Sequence, residues 1–427
     1  SVAPELLDTA FWSTLAFGCV AALAVLLAAG PVAGLFSEPA LRPVVMALAA
    51  SLPLSAAGAT HHAILRRRLD FQPIATRALY STAVGGVAGI AVALAGGGVW
   101  SLVTQALLTS ATGTLLLWRA VRWTPRLRFA RREAAELGRF GGSLIGANLA
   151  NFANRYADDL IIGVVLGPVA LGYYTVAYRL FASGTRLMGG VASAVAFPAF
   201  SRLQQDRERL RAAFYRSIRI AATIGFPAFA GVAVLAPALI GAVLGSGWDP
   251  ASPVLRVLAL MGLLHSVFYL NTSALMAAGR PGWVLRLNVL NAVLNVIAFS
   301  IAVRWGIVAV AAAYVIRGYA TAPLYLLVLR RVIGLDARRY GRELRAAAAG
   351  ALVMAVVLAG LVRVAPLAPA PLVLVGTLAG VVVYGAVLVL LDRPGLRSLW
   401  VDVKGALRAP AAPLDAPGPG VEVTVEG

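Results

Sequence analysis

The chain of 427 residues is 60% hydrophobic and only 13% charged, whereas an ordinary soluble domain is about 25% charged. Its formal net charge is +19, and its single cysteine, Cys19, excludes a disulfide within the chain. This composition excludes an ordinary soluble domain and predicts a membrane protein with many spans.

Twelve apolar segments are long enough to cross a bilayer as helices, which requires roughly 20 mostly apolar residues. In chain order they are residues 11–36, 41–60, 78–94, 98–117, 141–165, 170–197, 220–244, 253–276, 287–303, 306–329, 346–364 and 371–391. Tryptophans cluster near the ends of these segments, as expected for aromatic belts at the two membrane surfaces.

Basic residues mark nearly every second gap between the segments. The gap after the second segment contains Arg66, Arg67 and Arg68, the gap near Gly96 contains none, and the following gap begins with Arg119. This alternation follows the positive-inside rule and predicts that both termini lie on the inner side. A basic face against anionic lipid headgroups accounts for the charge, so nucleic acid is not an expected partner.

The chain contains a weak internal repeat with an offset of about 210 residues. Pro43 and Pro253 each precede an apolar segment, and Arg119 and Arg331 each follow one, at that offset. The first four segments therefore correspond to the seventh to tenth. Counterparts of segments 141–165 and 170–197 would precede residue 1, so the first lobe is expected to lack two spans, roughly 60–80 residues with their loops.

The expected fold is an all-α polytopic membrane protein with two parallel-repeat helical lobes, two extra C-terminal helices and twelve of fourteen spans present. Parallel repeats of this kind occur in alternating-access transporters. The predicted regions are a first lobe at 1–118, an inside linker at 119–140, a second lobe at 141–331, two extra spans at 332–391 and an inside tail at 392–427. The tail is rich in Pro, Ala and Gly, which favours disorder.

Ionised side chains inside the predicted spans are candidate functional groups, because placing one at a helix centre costs about 2.5–3.5 kcal/mol on insertion scales. Asp158 and Asp159 are the only acids inside any predicted span. They are therefore candidates for proton or cation coupling. Arg155 lies three and four residues before them and could instead neutralise them in a structural ion pair.

Intramembrane arginines are candidates for binding an anion, with asparagines beside them. The proposed substrate-binding set is Arg155, Arg179, Arg186, Arg317, Asn151 and Asn291. Arg317 has no acid nearby in sequence, so its counter-ion must come from another span or from a ligand. Two structural alternatives stay open: Arg186 could extend to the inner membrane surface, and the asparagines could be interhelical contacts. Arg256, near an outer end, is expected to be an anchor.

The sequence contains none of the common enzyme motifs that we expect to mark an active site in a membrane protein of this kind. There is no P-loop, and no Ser/His/Asp or Cys/His set can be assembled on one side of the membrane. The three histidines, His61, His62 and His265, are too scattered for a metal site. We therefore expect no catalytic residue, no cofactor and no metal.

Several stretches resemble a known family. Residues 158–174, the following Ala177-Tyr-Arg-Leu180, the stretch Phe197–Leu203, and the stretch Asn271–Asn291 with its Gly279-Arg-Pro-Gly282 turn are similar to polysaccharide flippases of the Wzx type. These belong to the multidrug/oligosaccharidyl-lipid/polysaccharide exporter superfamily. With the repeat, the resemblance covers nearly the whole chain. Members typically have fourteen spans in two six-helix lobes plus two extra helices.

The resemblance implies movement of an undecaprenyl-diphosphate-linked oligosaccharide from the inner to the outer leaflet by alternating access, for O-antigen, capsule or exopolysaccharide synthesis. It further implies a cationic central cavity for the diphosphate, and arginine suits phosphate. Implied partners are the lipid-linked glycan, membrane lipids, a polysaccharide polymerase and other assembly proteins. The implied location is the bacterial cytoplasmic membrane, with both termini cytoplasmic.

Three alternatives stay open. One is a flippase for a peptidoglycan precursor, and another is a cation-coupled drug antiporter of the same superfamily that uses Asp158 or Asp159. Five arginines within spans against two acids argue against a cationic substrate. The third is a membrane glycan polymerase, which would need a large outside loop that the sequence does not contain.

Overall fold

The computed structural model describes the backbone of residues 4–191 and 196–393. Side chains are described in these ranges except at residues 4, 135–137, 139, 140, 142–155, 187, 188, 190, 191, 197 and 198. All regular structure in the described ranges is helical. The tail predicted at 392–427 lies almost entirely outside the described residues.

The chain divides into two compact units that separate after Tyr156. In the first unit the complete helices are α1 (Pro4–Leu35), α2 (Leu41–Ala49), α3 (Ser51–Arg67), α4 (Phe71–Leu94) and α5 (Trp100–Ala120). Helix α6 (Arg131–Val191) crosses the boundary. The second unit then contains α7 (Phe197–Arg202), α8 (Arg207–Leu244), α9 (Ala251–Ala277), α10 (Pro281–Ala302), α11 (Ile307–Ile333), α12 (Ala337–Val364) and α13 (Pro369–Leu391).

Ten helical segments in the described part of the chain are long and apolar enough to cross a membrane. The protein is therefore a multi-pass helical membrane protein, as the sequence predicted. Two of the twelve predicted spans have no separate counterpart among the ten. Segment 98–117 corresponds to α5, which is not among the ten, and most of segment 141–165 lies where side chains are not described. The count of twelve therefore stays a prediction.

Small residues allow close helix packing in the first unit. Gly85 and Gly89 of α4 lie one helical turn apart and face α5, where a Cβ atom on Gly85 would stand 2.7 Å from the backbone oxygen of Gln105. This Gly-xxx-Gly spacing lets two helix backbones approach closely within a bilayer. A small apolar cluster formed by Ile64, Leu65, Leu117 and Val121 packs α3 against α5.

The second unit is built around α8 and α9. Helix α8 packs along α9, α12 and α13, and α9 is the most buried of the ten candidate spans. Local interactions define both ends of α8. The carboxylate of Asp206 accepts hydrogen bonds from the backbone amides of Glu208 and Arg209 at 3.1 and 3.0 Å and so caps the start of this helix. At its other end Gly245, with φ of 86°, ends the helix.

Helix α6 is broken at Gly167, where φ is 85°, directly before Pro168. The hydroxyl of Tyr174 lies 2.8 Å from the carboxylate of Asp158. In a continuous helix, residues 16 positions apart are separated by about 24 Å. The chain must therefore fold back at the break, which falls in the gap between the predicted segments 141–165 and 170–197.

Candidate functional site

A polar cavity of about 260 Å³ lies among α9, α10 and α11 of the second unit. On each helix the lining positions recur every three or four residues, so each helix presents one polar face. The polar lining residues are His265, Tyr269 and Thr272 of α9, Asn288, Asn291 and Asn295 of α10, and Tyr314, Arg317, Thr321 and Tyr325 of α11. The cavity therefore collects amide, hydroxyl, imidazole and guanidinium groups within apolar helices.

Arg317 is the cation of this cavity, and Asn291 holds it in place. One terminal nitrogen, Nη1, donates a 2.6 Å hydrogen bond to Asn291 Oδ1. The amide nitrogen of Asn291 donates in turn to the hydroxyl of Tyr325 at 2.7 Å. The guanidinium carbon lies 5.2 Å from the ring centroid of Tyr314, which is a cation–π arrangement.

The charge of Arg317 has no acidic partner among the described residues. Its Nε is buried and makes no hydrogen bond to any of them. Buried charges are normally paired or fully hydrogen-bonded, because transfer from water is costly. The Asn291 amide and the Tyr314 ring compensate only part of the free-energy cost of taking the Arg317 guanidinium out of water. Arg317 can therefore accept an anionic group that brings several oxygen acceptors.

His265 lies beside Arg317's aromatic partner. Its ring centroid is 5.8 Å from Phe181, 5.9 Å from Tyr269 and 6.1 Å from Tyr314. The Tyr314 hydroxyl lies 3.5 Å from His265 Nε2, while His265 Nδ1 is buried without a hydrogen-bond partner among the described residues. The imidazole therefore contributes a second polar group to the cavity wall.

The two acids of the predicted spans, Asp158 and Asp159, lie on the first half of α6, before its break at Gly167. Asp158 is buried, and its Oδ1 accepts a 3.0 Å hydrogen bond from the backbone amide of Asp159 while its Oδ2 accepts one from Tyr174 at 2.8 Å. The hydroxyl of Thr175 lies 3.4 Å from Asp159 Oδ1. Hydroxyl groups from the second half of α6 thus solvate both carboxylates.

Aromatic rings connect these acids with the cavity. The centroids of Tyr174 and Tyr178 are 6.2 Å apart, those of Tyr178 and Phe181 are 5.8 Å apart, and Phe181 lies 5.8 Å from His265. Packed rings transmit displacements because protein interiors are dense and nearly incompressible. The acids and the Arg317 cavity therefore belong to one packed region of the second unit.

A family model described as "Polysaccharide biosynthesis protein" matches residues 1–253. The chain belongs to this family. It is 28% identical over 342 residues, 78% of its own length and 69% of the relative, to the "Lipopolysaccharide biosynthesis protein WzxC" of Escherichia coli (strain K12). It is 29% identical over 256 residues, 60% of its length, to the "Succinoglycan biosynthesis transport protein ExoT" of Rhizobium meliloti (strain 1021), of which it spans 52%.

A solved structure gives the same fold at low sequence identity. The structure titled "Lipid II flippase MurJ, inward closed conformation" matches with a TM-score of 0.74 over 92% of this chain and 84% of that one, at 12% identity. Such a likeness concerns the fold alone. It agrees with the all-α polytopic architecture that the sequence predicted for this member of the polysaccharide biosynthesis family.

In this family member, the structure brings together two residues of the predicted substrate-binding set, Arg317 and Asn291. Arg179 and Arg186 are exposed and do not line the cavity. Arg186 donates a 2.9 Å hydrogen bond to the hydroxyl of Ser183. The side chains of Arg155 and Asn151 lie outside the described residues, so their place in the binding set stays a prediction, and the alternative that Arg155 pairs with the two acids stays open.

Sequence reasoning missed His265, Tyr314 and Tyr325. In the sequence His265 is a candidate only for a metal site, and the two tyrosines carry no charge that would mark them as functional groups inside a span. A usable signal was present: Tyr314, Arg317 and Tyr325 follow the three- to four-residue spacing of one helical face. That spacing would have placed both hydroxyls beside the guanidinium.

Proposed function

We propose that this protein carries an undecaprenyl-diphosphate-linked oligosaccharide across the bacterial cytoplasmic membrane during polysaccharide synthesis. Membership of the polysaccharide biosynthesis family and relatives named for lipopolysaccharide biosynthesis and succinoglycan transport support this role. The basic gaps between spans support an orientation with both termini in the cytoplasm. No catalytic role is proposed.

The observation that carries the proposal is the state of Arg317, a half-buried cation without an acidic partner among the described residues. A planar guanidinium binds two phosphate oxygens at once through parallel hydrogen bonds. A diphosphate is the charged group that every lipid-linked glycan of this class shares. Arg317 is therefore proposed as a diphosphate ligand.

The size of the cavity limits what it holds. Sites for drug-sized ligands usually measure about 300–1,000 Å³. At about 260 Å³ this cavity suits a charged headgroup rather than a whole oligosaccharide. We therefore assign it to the diphosphate and the first sugar, which are the parts that different glycans have most nearly in common.

Transport by alternating access requires that the substrate bind the two states of the carrier differently. Arg317 donates to Asn291 in the described state. A diphosphate would take over that donor, and Asn291 would release it. Asp158 and Asp159 are proposed to couple an ion to this exchange through the aromatic rings that join them to the cavity.

The proposal is tested by measuring glycan export in cells whose own copy of the gene is deleted and which carry a variant in its place. Arg317→Ala is expected to lower surface polysaccharide at least tenfold, because a charge-assisted hydrogen bond contributes about 1.5–3 kcal/mol. Arg256→Ala removes an exposed arginine of α9 that does not line the cavity, and it is the control. Both variants must reach the membrane in equal amounts. Wild-type export by Arg317→Ala would rule out the cationic site.

Arg179 is tested separately, because it is exposed and away from the cavity. Arg179→Ala is expected to lower export if the diphosphate passes this surface during transport. Arg256→Ala, which removes an exposed arginine that does not line the cavity, serves again as the matched control. Unchanged export in Arg179→Ala would remove Arg179 from the binding set and leave the role of Arg317 intact.

A further inference from the structure

A second polar cavity, of about 380 Å³, lies at one end of the second unit. It forms where the start of α8, the turn between α9 and α10, and the end of α11 meet. Its lining residues are Gln204, Arg207, Leu210, Ala278, Arg280, Trp283, Arg331, Val332 and Ile333. It shares no residue with the Arg317 cavity, and all of its arginines belong to gaps that the positive-inside rule places on the inner side.

Several arginines of the second unit have protein partners. Arg209 pairs with Asp206 at 3.2 Å, and Arg219 Nε donates a 2.7 Å hydrogen bond to Glu343. Arg211 donates to a backbone carbonyl at 3.2 Å. These arginines are already compensated by the protein.

The three cavity arginines, Arg207, Arg280 and Arg331, differ from them. In the described part of the chain, no hydrogen bond or ion pair joins any of their guanidinium groups to another residue. No acid lines the cavity. Three like charges around one cavity repel each other, and a multivalent anion relieves that repulsion while accepting hydrogen bonds from each guanidinium. The cavity thus favours a phosphate group.

Local backbone structure directs Arg280 into the cavity. Gly279 has φ of 69°, a left-handed conformation that ends α9 and that glycine adopts without strain. Arg280 then occupies the N-cap position of α10, and Pro281 begins the helix. The helix has no side-chain cap at this end. Its partial positive charge adds to the attraction for an anion.

Apart from the amide of Gln204, the rest of the lining is apolar or aromatic. Leu210 and Ile333 are buried, and Trp283 lies 5.3 Å from the guanidinium carbon of Arg286. Tryptophan prefers the level of the lipid headgroups, where one side is wet and the other apolar. Basic pockets between transmembrane helices on the cytoplasmic side suit anionic headgroups. We propose that this cavity binds the phosphate of an anionic lipid headgroup of the inner leaflet.

Such a lipid would join two helices and a turn that are distant in sequence. Arg207 belongs to α8, Arg280 to the α9–α10 turn and Arg331 to α11. Binding to the folded state alone stabilises a protein by mass action. The bound lipid is therefore a stabiliser of the second unit. This role does not depend on the proposed transport function, because lipid binding is measured without transport.

The experiment measures lipid binding to the purified protein by native mass spectrometry, with phosphatidylglycerol as one probe and undecaprenyl diphosphate as the other. The cavity variant replaces Arg207, Arg280 and Arg331 with Gln. The matched control replaces Arg202, Arg330 and Arg338 with Gln, which removes the same charge from exposed positions outside the cavity. The cavity variant is expected to lose on the order of a hundredfold in affinity.

The two probes distinguish the source of the phosphate. Selective loss of phosphatidylglycerol identifies a structural phospholipid, and selective loss of undecaprenyl diphosphate identifies the carrier lipid itself. The single variant Arg280→Gln, at a turn, is expected to lose about fivefold and keeps the test usable if the triple variant unfolds. Equal losses in the cavity and control variants for both probes would overturn the proposal, since they would indicate general surface attraction.

Discussion

The hydroxyl of Tyr174 donates a 2.8 Å hydrogen bond to Asp158 across the break in α6. This contact joins the two halves of the folded-back helix and solvates a buried carboxylate. Asp158 is 7% exposed, so water replaces the donor poorly. The contact therefore combines a structural role with control over an acid that we propose to couple an ion.

Tyr174→Phe removes this donor and keeps the ring. Leaving a buried acceptor unsatisfied costs about 1–3 kcal/mol, so the unfolding temperature of the purified protein is expected to fall. Tyr173→Phe is the matched control, since its hydroxyl makes no hydrogen bond within the described part of the chain and its ring packs on Trp248. If Tyr174→Phe and Tyr173→Phe unfold at the same temperature, the hydrogen bond contributes nothing to stability.

Asn291→Asp would place a carboxylate on the cavity cation. The Asn291 oxygen already lies 2.6 Å from Arg317 Nη1, so an aspartate there supplies the missing counter-ion. We expect glycan export to fall at least tenfold, because a paired guanidinium no longer attracts diphosphate. The variant is expected to remain folded, which is checked by its unfolding temperature.

Asn288→Asp is the control for that change. Asn288 lines the same cavity but has no hydrogen bond to Arg317. It adds the same charge to the same cavity without the preformed contact. A larger loss of export in Asn288→Asp than in Asn291→Asp would contradict the assignment of Arg317 as the diphosphate ligand.

The sequence predicted the local features well because they depend on neighbours along one helix. Asn288, Asn291 and Asn295 are three and four residues apart, so the 3.6-residue period alone puts them on one helical face. The break in α6 follows from Gly167 and Pro168, whose backbone preferences end a helix. The all-α membrane fold follows from composition and segment length.

The sequence alone does not predict which side chains of different helices contact each other. Arg317 meets Asn291, 26 residues away, because α10 and α11 pack side by side, and nothing in the local pattern selects that partner. For the same reason His265 stands isolated in the sequence. Arg207, Arg280 and Arg331 indicate only topology there, since whether an arginine has a partner depends on residues more than 100 positions away.

Gly85→Ala tests the packing of α4 against α5. The added Cβ atom would stand 2.7 Å from the Gln105 backbone oxygen, which belongs to a helix and cannot rotate away. The two helices must separate, and overpacking typically costs about 1–3 kcal/mol. The unfolding temperature is expected to drop.

Gly86→Ala is the control for this position. A Cβ atom there has no neighbour within 4 Å, and alanine is the better helix former by about 1 kcal/mol. It is expected to leave the protein unchanged or to stabilise it. Equal unfolding temperatures for Gly85→Ala and Gly86→Ala would show that α4 and α5 do not need their close approach.

The chain between α5 and α6 is tied to the start of α1. The buried carboxylate of Asp8 accepts a 3.0 Å hydrogen bond from the backbone amide of Arg126, whose carbonyl accepts a 2.8 Å hydrogen bond from Trp12 Nε1. The hydroxyl of Thr9 accepts a 3.1 Å hydrogen bond from the amide of Ala130. This segment is part of the predicted inside linker, and its backbone is held by side chains of another helix.

Asp8→Ala is expected to release this segment. Losing the acceptor costs roughly 1–3 kcal/mol, which raises the population of the open segment roughly 5- to 100-fold. Trypsin should then cut faster at Arg126 and Arg128, both exposed, since cleavage of a rapidly opening segment follows its open population. Glu5→Ala, an exposed acid of the same helix, is the control. Identical cleavage rates in the two variants would mean that Asp8 does not hold the linker.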